Sequence, residues 1–246
     1  MPTTDVELAR AWLLERFPDG FEELAEEVPD TAELAVYTDD VGARAVAAAY
    51  PDARVDEVPD GWEERWKEFH RPVRAGGLWI GPPWTPVPTD EISVVVDPGR
   101  AFGTGAHPTT RACIELLSGL KRGSLLDAGC GSGVVAVAAH RLGFAPVVAV
   151  DSDAVAVVVA AETARSNDVE VAVRRLDVLV DELPETDLVV ANIELVVVEQ
   201  FLPRTSARVA VTSGYLASET PRVQGWSAVE RLELEGWAAD VFARGH

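Results

Sequence analysis

The chain contains a glycine-rich run that could hold a polar ligand. Residues 127–133 read Asp-Ala-Gly-Cys-Gly-Ser-Gly; they follow the apolar pair Leu125-Leu126 and precede a helical pattern over Val134–Arg141. Glycine lets the backbone approach a ligand closely, and a helix N-terminus offers unpaired N–H groups to it. The run therefore predicts a ligand cradle between a strand and a helix. Glycines that serve only a tight turn are the alternative.

A carboxylate follows the next apolar run, where a ribose partner is expected. Asp151 lies 22 residues after Gly129, and a carboxylate at this spacing can accept hydrogen bonds from both ribose hydroxyls of an adenosine-containing cofactor. Its alternative role is to cap the following helix, which Ser152 or Asp153 could do equally well. The spacing favours ribose binding by Asp151.

The positions of the glycines distinguish between two cofactors. Counted from Gly129, the glycines Gly129, Gly131 and Gly133 occupy the first, third and fifth positions, whereas the dinucleotide fingerprint has its third glycine at the sixth position. This departure favours S-adenosylmethionine over NAD. Asp127, two residues before the first glycine, gives the run the form of a methyltransferase signature, in which this acid helps to orient the loop and the methionine end of the cofactor.

The elements that position these residues alternate between strands and helices. Nearly continuous apolar strands imply a parallel sheet covered by helices on both faces, which is an α/β fold. The predicted strands are residues 125–128, 147–150, 171–176, 188–193 and 209–212. Residues 228–234 and 238–243 predict a hairpin that adds antiparallel strands at the edge of the sheet.

Three segments are predicted along the chain. Residues 1–70 form a small α+β domain, residues 71–90 a Pro/Gly-rich linker that is packed in part through a short strand at 78–80, and residues 91–246 the sheet domain. In the small domain we expect helices at 5–17 and 40–50 and strands at 21–28, 32–38 and 53–58. Trp62 and Trp66 share one helix face and are expected to pack at the joint between the domains.

Composition limits the partners. The net charge is −20, and residues 1–70 hold 19 acidic and 6 basic residues. Such acidity disfavours direct nucleic-acid binding and favours a basic protein partner, unless it serves only solubility. The spacing of Cys113 and Cys130 predicts neither a disulfide nor a metal site. Without a long apolar stretch or a signal-peptide pattern, we expect no membrane association and a cytoplasmic protein.

Four motifs together resemble one protein family. They are residues 62–69 (WEERWKEF), residues 97–110 (DPGRAFGTGAHPTT), the glycine run and residues 190–193 (VANI). Over residues 60–215 the chain is similar to the ribosomal protein methyltransferase family PrmA, which methylates the stalk-base protein of the large ribosomal subunit. The resemblance implies a Rossmann-like class I methyltransferase sheet, a truncated ferredoxin-like domain for substrate recognition and a basic ribosomal protein as substrate.

The resemblance also assigns site residues. It implies that Thr110, Gly129, Asp151 and Asn192 contact S-adenosylmethionine and that Asn192 faces the incoming amine; the glycine cradle adds Gly131. Thr110 follows the helix-initiating Pro108 and can present its hydroxyl, and Asn192 ends an apolar strand where open α/β sheets bind ligands. The expected reaction is an in-line displacement in which a deprotonated lysine or α-amino group takes the methyl group.

Two further residues have competing interpretations, and the chain departs from the family in two places. His107 could be a base, but a helix-entry residue is favoured; Cys130 is interpreted as a small loop residue rather than a nucleophile. One N-terminal strand and the helix between residues 215 and 229 are expected to be missing. N-methylation of another protein or of a small molecule, and a non-catalytic binding module that keeps the cofactor fold, therefore remain open.

Overall fold

The computed structural model describes residues 40–55, 70–97 and 105–245 and, among the first 39 residues, positions 9, 12, 13, 16, 22–24, 33–36 and 38. The chain divides into two compact units, Met1–Trp62 and Glu63–His246. The motif at residues 62–69, with Trp62 and Trp66, lies outside the described residues, as does most of the motif that precedes Gly105.

The first unit combines helices with a short strand pair. Its described elements are β1 (Glu22–Leu24), β2 (Glu33–Ala35), which pairs antiparallel with β1, and α1 (Asp40–Ala49). Ala9 and Leu13 are helical and buried, and the ring of Trp12 meets that of Tyr50 edge to face at 5.4 Å. The predicted helices and the first two strands are confirmed in this part of the chain. The strand predicted at 53–58 is wrong over residues 53–55, which are irregular.

The second unit begins with a small three-stranded sheet. Its strands are β3 (Val73–Ala75), β4 (Leu78–Gly81) and β5 (Ser93–Val95), with β4 in the middle. Leu78, Trp79 and Ile80 are at most 3% exposed, and they belong to the same compact unit as the main sheet. The structure thus divides the chain at residue 62 and not within residues 71–90. The Pro/Gly-rich composition there reflects turns between packed strands, and the short strand predicted at 78–80 is confirmed within β4.

The main sheet has seven strands in the order β11-β12-β10-β9-β6-β7-β8. The strands are β6 (Leu125–Ala128), β7 (Val147–Asp151), β8 (Val171–Arg175), β9 (Leu188–Asn192), β10 (Val209–Leu216), β11 (Trp226–Leu234) and β12 (Trp237–Arg244). The five from β6 to β10 are mutually parallel, as predicted. The predicted hairpin is confirmed, but β12 lies between β10 and β11 and runs antiparallel to both.

Helices cover both faces of the sheet. Consecutive strand residues point to opposite faces, so the apolar strands place buried side chains on each face. The helices are α2 (Pro108–Gly119), α3 (Val134–Arg141), α4 (Ala154–Ser166) and α5 (Leu195–Phe201). On β6, Leu125 packs into the core shared with α2 and α3, whereas Leu126 packs into the core shared with α5. This arrangement confirms the predicted α/β fold with a sheet buried on both sides.

The connection from β10 to β11 is short. Residues 217–225 contain only turns and irregular backbone, as predicted from the shortened sequence, and β11 is largely exposed. Among the described residues, no helix is both long and apolar enough to cross a bilayer.

Candidate functional site

A cleft of about 670 Å³ opens at the carboxyl ends of the central parallel strands, the place where open α/β sheets bind ligands. Its walls come from the segments that follow β6, β7, β8 and β9, from the start of α2 and from the β11–β12 turn. The lining residues are His107, Thr109, Gly129, Gly131, Asp151, Ser152, Leu176, Asp177, Val178, Leu179, Asn192, Ile193, Glu194, Val197, Gly214 and Trp237.

The glycine turn forms one wall of this cleft. The backbone N–H groups of Gly129 and Cys130 both donate to the carbonyl of Val150, at 2.9 and 3.0 Å, so the turn is fixed to the end of β7. Gly129 has a φ of 72° and Gly131 a φ of 51°. A side chain is disfavoured in this left-handed conformation, and the backbone of the turn is consequently open to the cleft.

Asp151 joins the turn to β7, and Asp153 caps the following helix. One carboxylate oxygen of Asp151 accepts from the Gly131 N–H at 2.9 Å, and the other accepts from the Asp153 N–H at 3.0 Å. The carboxylate of Asp153 accepts from the Val155 N–H at the start of α4. The capping role considered for Asp151 is thus filled by Asp153. Each oxygen of Asp151 keeps a lone pair for a ligand.

Asp127 is buried beneath the glycine turn and is not among the lining residues. It is 2% exposed, and among the described residues its Oδ2 atom has no hydrogen-bond partner. Burial raises the pKa of this carboxyl to about 7; a hydrogen bond from the Ala136 backbone opposes the rise, and the charge of Asp151 adds to it. Asp127 therefore connects β6 to the first turn of α3, directly behind the glycine turn.

Asn192 and Thr110 meet on the other side of the cleft. The Nδ2 atom of Asn192 donates to the Thr110 hydroxyl at 3.3 Å. Thr110 is 2% exposed and lies behind the wall, whereas Asn192 lines the cleft. This bond leaves the Asn192 carbonyl oxygen as an acceptor, with no partner among the described residues.

His107 is the N-cap of α2 and contacts Trp237, an aromatic residue that the sequence analysis did not identify. Its Nδ1 atom lies 2.7 Å from the Thr109 hydroxyl and accepts from the Thr109 N–H at 3.4 Å, so its predicted helix-entry role is confirmed. Burial, followed by the charge of Arg111, lowers the pKa of His107, whereas Glu235 raises it. The imidazole packs edge to face on Trp237 at 4.9 Å.

Trp237 is the first residue of β12, directly after the hairpin turn, and it lines the cleft. Glu235 in that turn binds Arg111 of α2 at 2.6 Å, which holds the start of β12 close to the start of α2. No residue spacing near Trp237 indicates a site, because its position depends on the insertion of β12 into the sheet.

The thiols are excluded as nucleophiles. Cys113 and Cys130 are both buried and unpaired with each other, and burial strongly raises the pKa of each. Such a thiol stays protonated and inert. The interpretation of Cys130 as a small loop residue is confirmed. Among the described residues, no group of three or more His, Cys, Asp or Glu side chains could hold a metal ion.

A second set of cleft residues that the sequence analysis did not identify follows β8. Leu176, Asp177 and Leu179 line the cleft beside Asp151, and the Asp177 carboxylate accepts from the Leu179 N–H at 2.9 Å. These residues could have been predicted from the sequence, because the residues that follow the carboxyl ends of neighbouring parallel strands lie at the same edge of the sheet. Of the predicted site residues, the structure brings Gly129, Gly131, Asp151 and Asn192 into one cleft, with Thr110 and Asp127 directly behind its walls.

Comparison with known proteins agrees with this geometry. The family described as ribosomal protein L11 methyltransferase (PrmA) matches residues 24–244. Curated proteins named ribosomal protein L11 methyltransferase from Dictyoglomus thermophilum and Symbiobacterium thermophilum are 36% and 40% identical to the chain, over 72% and 75% of its length. The match spans 64% and 62% of those two proteins, less than two thirds of either.

One solved structure shares the fold over most of its length. The ribosomal protein L11 methylase from Lactobacillus delbrueckii subsp. bulgaricus superposes with a TM-score of 0.60 and 27% sequence identity. The similarity covers 69% of the present chain and 96% of that structure.

Proposed function

The chain belongs to the ribosomal protein L11 methyltransferase (PrmA) family, and from that premise we propose that it is an S-adenosylmethionine-dependent N-methyltransferase that acts on lysine or α-amino groups of a large-subunit ribosomal protein. One observation supports the proposal most directly. Asp151 with the glycine turn, and Asn192, which bonds to Thr110 behind it, line the same cleft. An adenosine-binding carboxylate and an amine-orienting amide therefore share one space.

The cleft fits the cofactor on its own geometry. An added Cβ at Gly129 would collide with Ile193, so the turn is open only with glycine there. In the proposal, Asp151 accepts the ribose hydroxyls, Gly129 and Gly131 provide the close backbone approach, and Asp127 orients the turn through the first turn of α3. Asn192, which donates to Thr110 behind the wall, contacts the opposite end. S-adenosylmethionine supplies the methyl group when it is bound.

The acceptor amine is oriented by Asn192. Because Nδ2 of Asn192 donates to Thr110, its carbonyl oxygen is directed to the amine and accepts one N–H. The nitrogen lone pair then points away from that hydrogen bond, toward the bound cofactor. A lysine amine has an ordinary pKa near 10.4 and must lose a proton before it reacts. Nδ1 of His107 is engaged at the start of α2, and in the proposal the proton passes to water.

Charge favours a basic substrate. Among the described lining residues are three carboxylates, those of Asp151, Asp177 and Glu194, and no Lys or Arg. Residues 1–70, with 19 acidic and 6 basic residues, also carry a net negative charge. A lysine-rich ribosomal protein complements both features, and such a substrate implies that the chain acts in the cytoplasm.

A second candidate is N-methylation of a different protein. The chain spans less than two thirds of its first relatives, and residues 193–196 (Ile-Glu-Leu-Val) stand where the PrmA family often has small residues and proline. Ile193 and Glu194 line the cleft beside Asn192, so the difference at residues 193–196 lies where the proposed acceptor amine would bind.

The test is transfer of labelled methyl groups from S-adenosylmethionine to purified stalk-base ribosomal protein and, in parallel, to whole-cell lysate. We expect label in the ribosomal protein with the wild type, none with Asp151→Ala, and wild-type labelling with the cap variant Asp153→Ala. Label only in another lysate protein would support the second candidate. No label anywhere, despite cofactor binding, would support a non-catalytic binding module.

A further inference from the structure

Ile193, the residue directly after Asn192, packs closely against two glycines, Gly129 and Gly214. The Cγ2 atom of Ile193 occupies the space where a Cβ of Gly129 would lie, and the Ile193 backbone occupies the space of a Cβ on Gly214. That Cβ would lie 2.7 Å from the Ile193 carbonyl carbon and 2.9 Å from its nitrogen, and it would also collide with the carbonyl oxygen. Real Cβ contacts are not this short.

Gly214 lies at an irregularity of the sheet. The register between β10 and β12 shifts between Ser213 and Tyr215, so Gly214 is the extra residue of a β-bulge, with a φ of 103°. The Ile193 N–H donates to the carbonyl of Ser213 at 3.0 Å, immediately before the bulge. Bulges recur next to active sites, where they reposition nearby groups.

The bulge itself is anchored on both flanks. The Ser213 hydroxyl donates to the carbonyl of Ala238 on β12 at 2.7 Å. The buried Tyr215 hydroxyl donates to Asp240 at 2.9 Å and lies 2.8 Å from the Thr212 hydroxyl. Gly214 consequently cannot shift without breaking buried hydrogen bonds, so the Ile193 backbone packs against a fixed surface.

We propose that Gly214 and Ile193 are positioning residues for Asn192. The bulge at Gly214 fixes the Asn192–Ile193 backbone, and the Ile193 side chain sets the distance between that backbone and the glycine turn. The inference rests on the proposed function, because Asn192 orients the amine there. Reaction rates are sensitive to displacements of about 1 Å in an orienting group. The amide of Asn192 therefore needs a rigidly held backbone.

The first test is Gly214→Ala against Gly225→Ala. Gly225 also has a positive φ, of 81°, but an added Cβ would meet nothing within 4 Å there. The control thus also places an alanine at a positive φ, but without the collision. In the free protein, we expect hydrogen exchange of the Ile193 amide to accelerate about 10-fold or more in Gly214→Ala and to stay at the wild-type rate in Gly225→Ala. Equal exchange in the two variants would overturn the inference.

Kinetics supply the second readout. With Gly214→Ala we expect kcat for methyl transfer to fall about 10-fold or more. The Kd for S-adenosylhomocysteine should change less than about 3-fold, because Asp151 ends β7 and Gly131 lies in the turn after β6. Equal losses in kcat and cofactor affinity would show a collapsed site and contradict positioning of Asn192. If the wild type transfers no methyl group, the proposed function fails, and the exchange experiment still decides whether Gly214 fixes the Ile193 backbone.

Ile193 provides a test that does not strain the backbone. Ile193→Val keeps the Cγ2 branch that faces Gly129, whereas Ile193→Ala removes it. We expect the valine variant to retain most of kcat and the alanine variant to lose about 10-fold, with similar melting temperatures of the two cofactor-bound proteins. Wild-type kcat in the alanine variant would rule out a spacing role for the side chain.

Discussion

Asp151 accepts a hydrogen bond from the Gly131 N–H at 2.9 Å, so the carboxylate proposed to bind ribose also holds the glycine turn. The turn and the ribose partner are therefore one unit, although they lie in different strand–helix connections. A change at Asp151 affects both of them.

We expect Asp151→Asn to weaken binding of S-adenosylhomocysteine about 10-fold to 100-fold, because hydrogen bonds to a charged carboxylate contribute about 1.5–3 kcal/mol. The matched variant is Asp153→Ala, which removes the α4 cap and lowers the free energy of unfolding by about 1 kcal/mol without changing affinity. Calorimetric titration and thermal unfolding separate the two effects. Equal affinity losses in both variants would contradict the assigned roles.

Thr110 is expected to act through its hydroxyl. Thr110→Val keeps the buried shape but removes the acceptor for Asn192, which frees the amide to rotate. Single-turnover methyl transfer should slow about 10-fold in this variant, and Thr110→Ser should recover most of the rate because it restores the hydroxyl. Indistinguishable rates for the serine and valine variants would argue against orientation of Asn192 by Thr110.

The buried carboxyl of Asp127 makes stability depend on pH. Since its pKa rises from 3.8 in the unfolded chain to about 7 in the folded protein, the folded state holds a proton that the unfolded state has lost between about pH 4 and pH 7. The free energy of unfolding therefore falls as the pH rises through that window.

Asp127→Asn should remove this decrease in stability. The effect is a few kcal/mol, because a pKa change of one corresponds to about 1.4 kcal/mol. Urea unfolding of wild type and variant at about pH 5 and pH 8, without cofactor, measures it. Parallel pH dependence in the two proteins would be evidence against burial of this carboxyl.

Arg122 is expected to stabilise the fold without affecting the cleft. Its guanidinium donates to four backbone carbonyls near the ends of α2 and α3, among them Leu117 at 3.0 Å and Leu142 at 2.6 Å, and lies 4.9 Å from the Phe144 ring. Arg122→Ala should lower the free energy of unfolding by about 1–2 kcal/mol, and Lys121→Ala should leave it nearly unchanged. Affinity for S-adenosylhomocysteine should stay constant in both.

Recognition of a basic protein should be sensitive to salt. The surplus of 13 acidic over basic residues in positions 1–70 attracts a cationic substrate through a field that salt screens beyond about 10 Å at 0.1 M. We expect KM for the protein substrate to rise several-fold between about 50 and 300 mM NaCl, while KM for the cofactor stays nearly constant. A substrate KM independent of salt would show that this acidity serves another purpose.

Local chemistry explains why the cofactor side of the site could be predicted. Gly129 and Asp151 each follow directly on an apolar strand, so the sequence places them at the same edge of a parallel sheet without knowledge of distant contacts. Asp127 was identified from the methyltransferase form of the glycine run and Thr110 from the family resemblance, although burial places both behind the cleft wall.

The acceptor side depends on topology and was harder to predict. Trp237 reaches the cleft only because β12 enters the sheet beside β10, and no short-range spacing encodes that insertion. Residues 71–90 were interpreted as a linker because Pro and Gly are common there. The burial of Leu78 and Ile80 depends on α2, which lies later in the chain.

The place of β12 in the sheet has a consequence for the nascent chain. Until residues 237–244 have been synthesised, neither β10 nor β11 can have the partner that both share in the finished sheet. A partial chain therefore presents two unpaired strand edges, which are templates for intermolecular pairing. Synthesis interrupted between β11 and β12 should produce an aggregation-prone polypeptide, whereas the same polypeptide extended by eight residues has both edges covered.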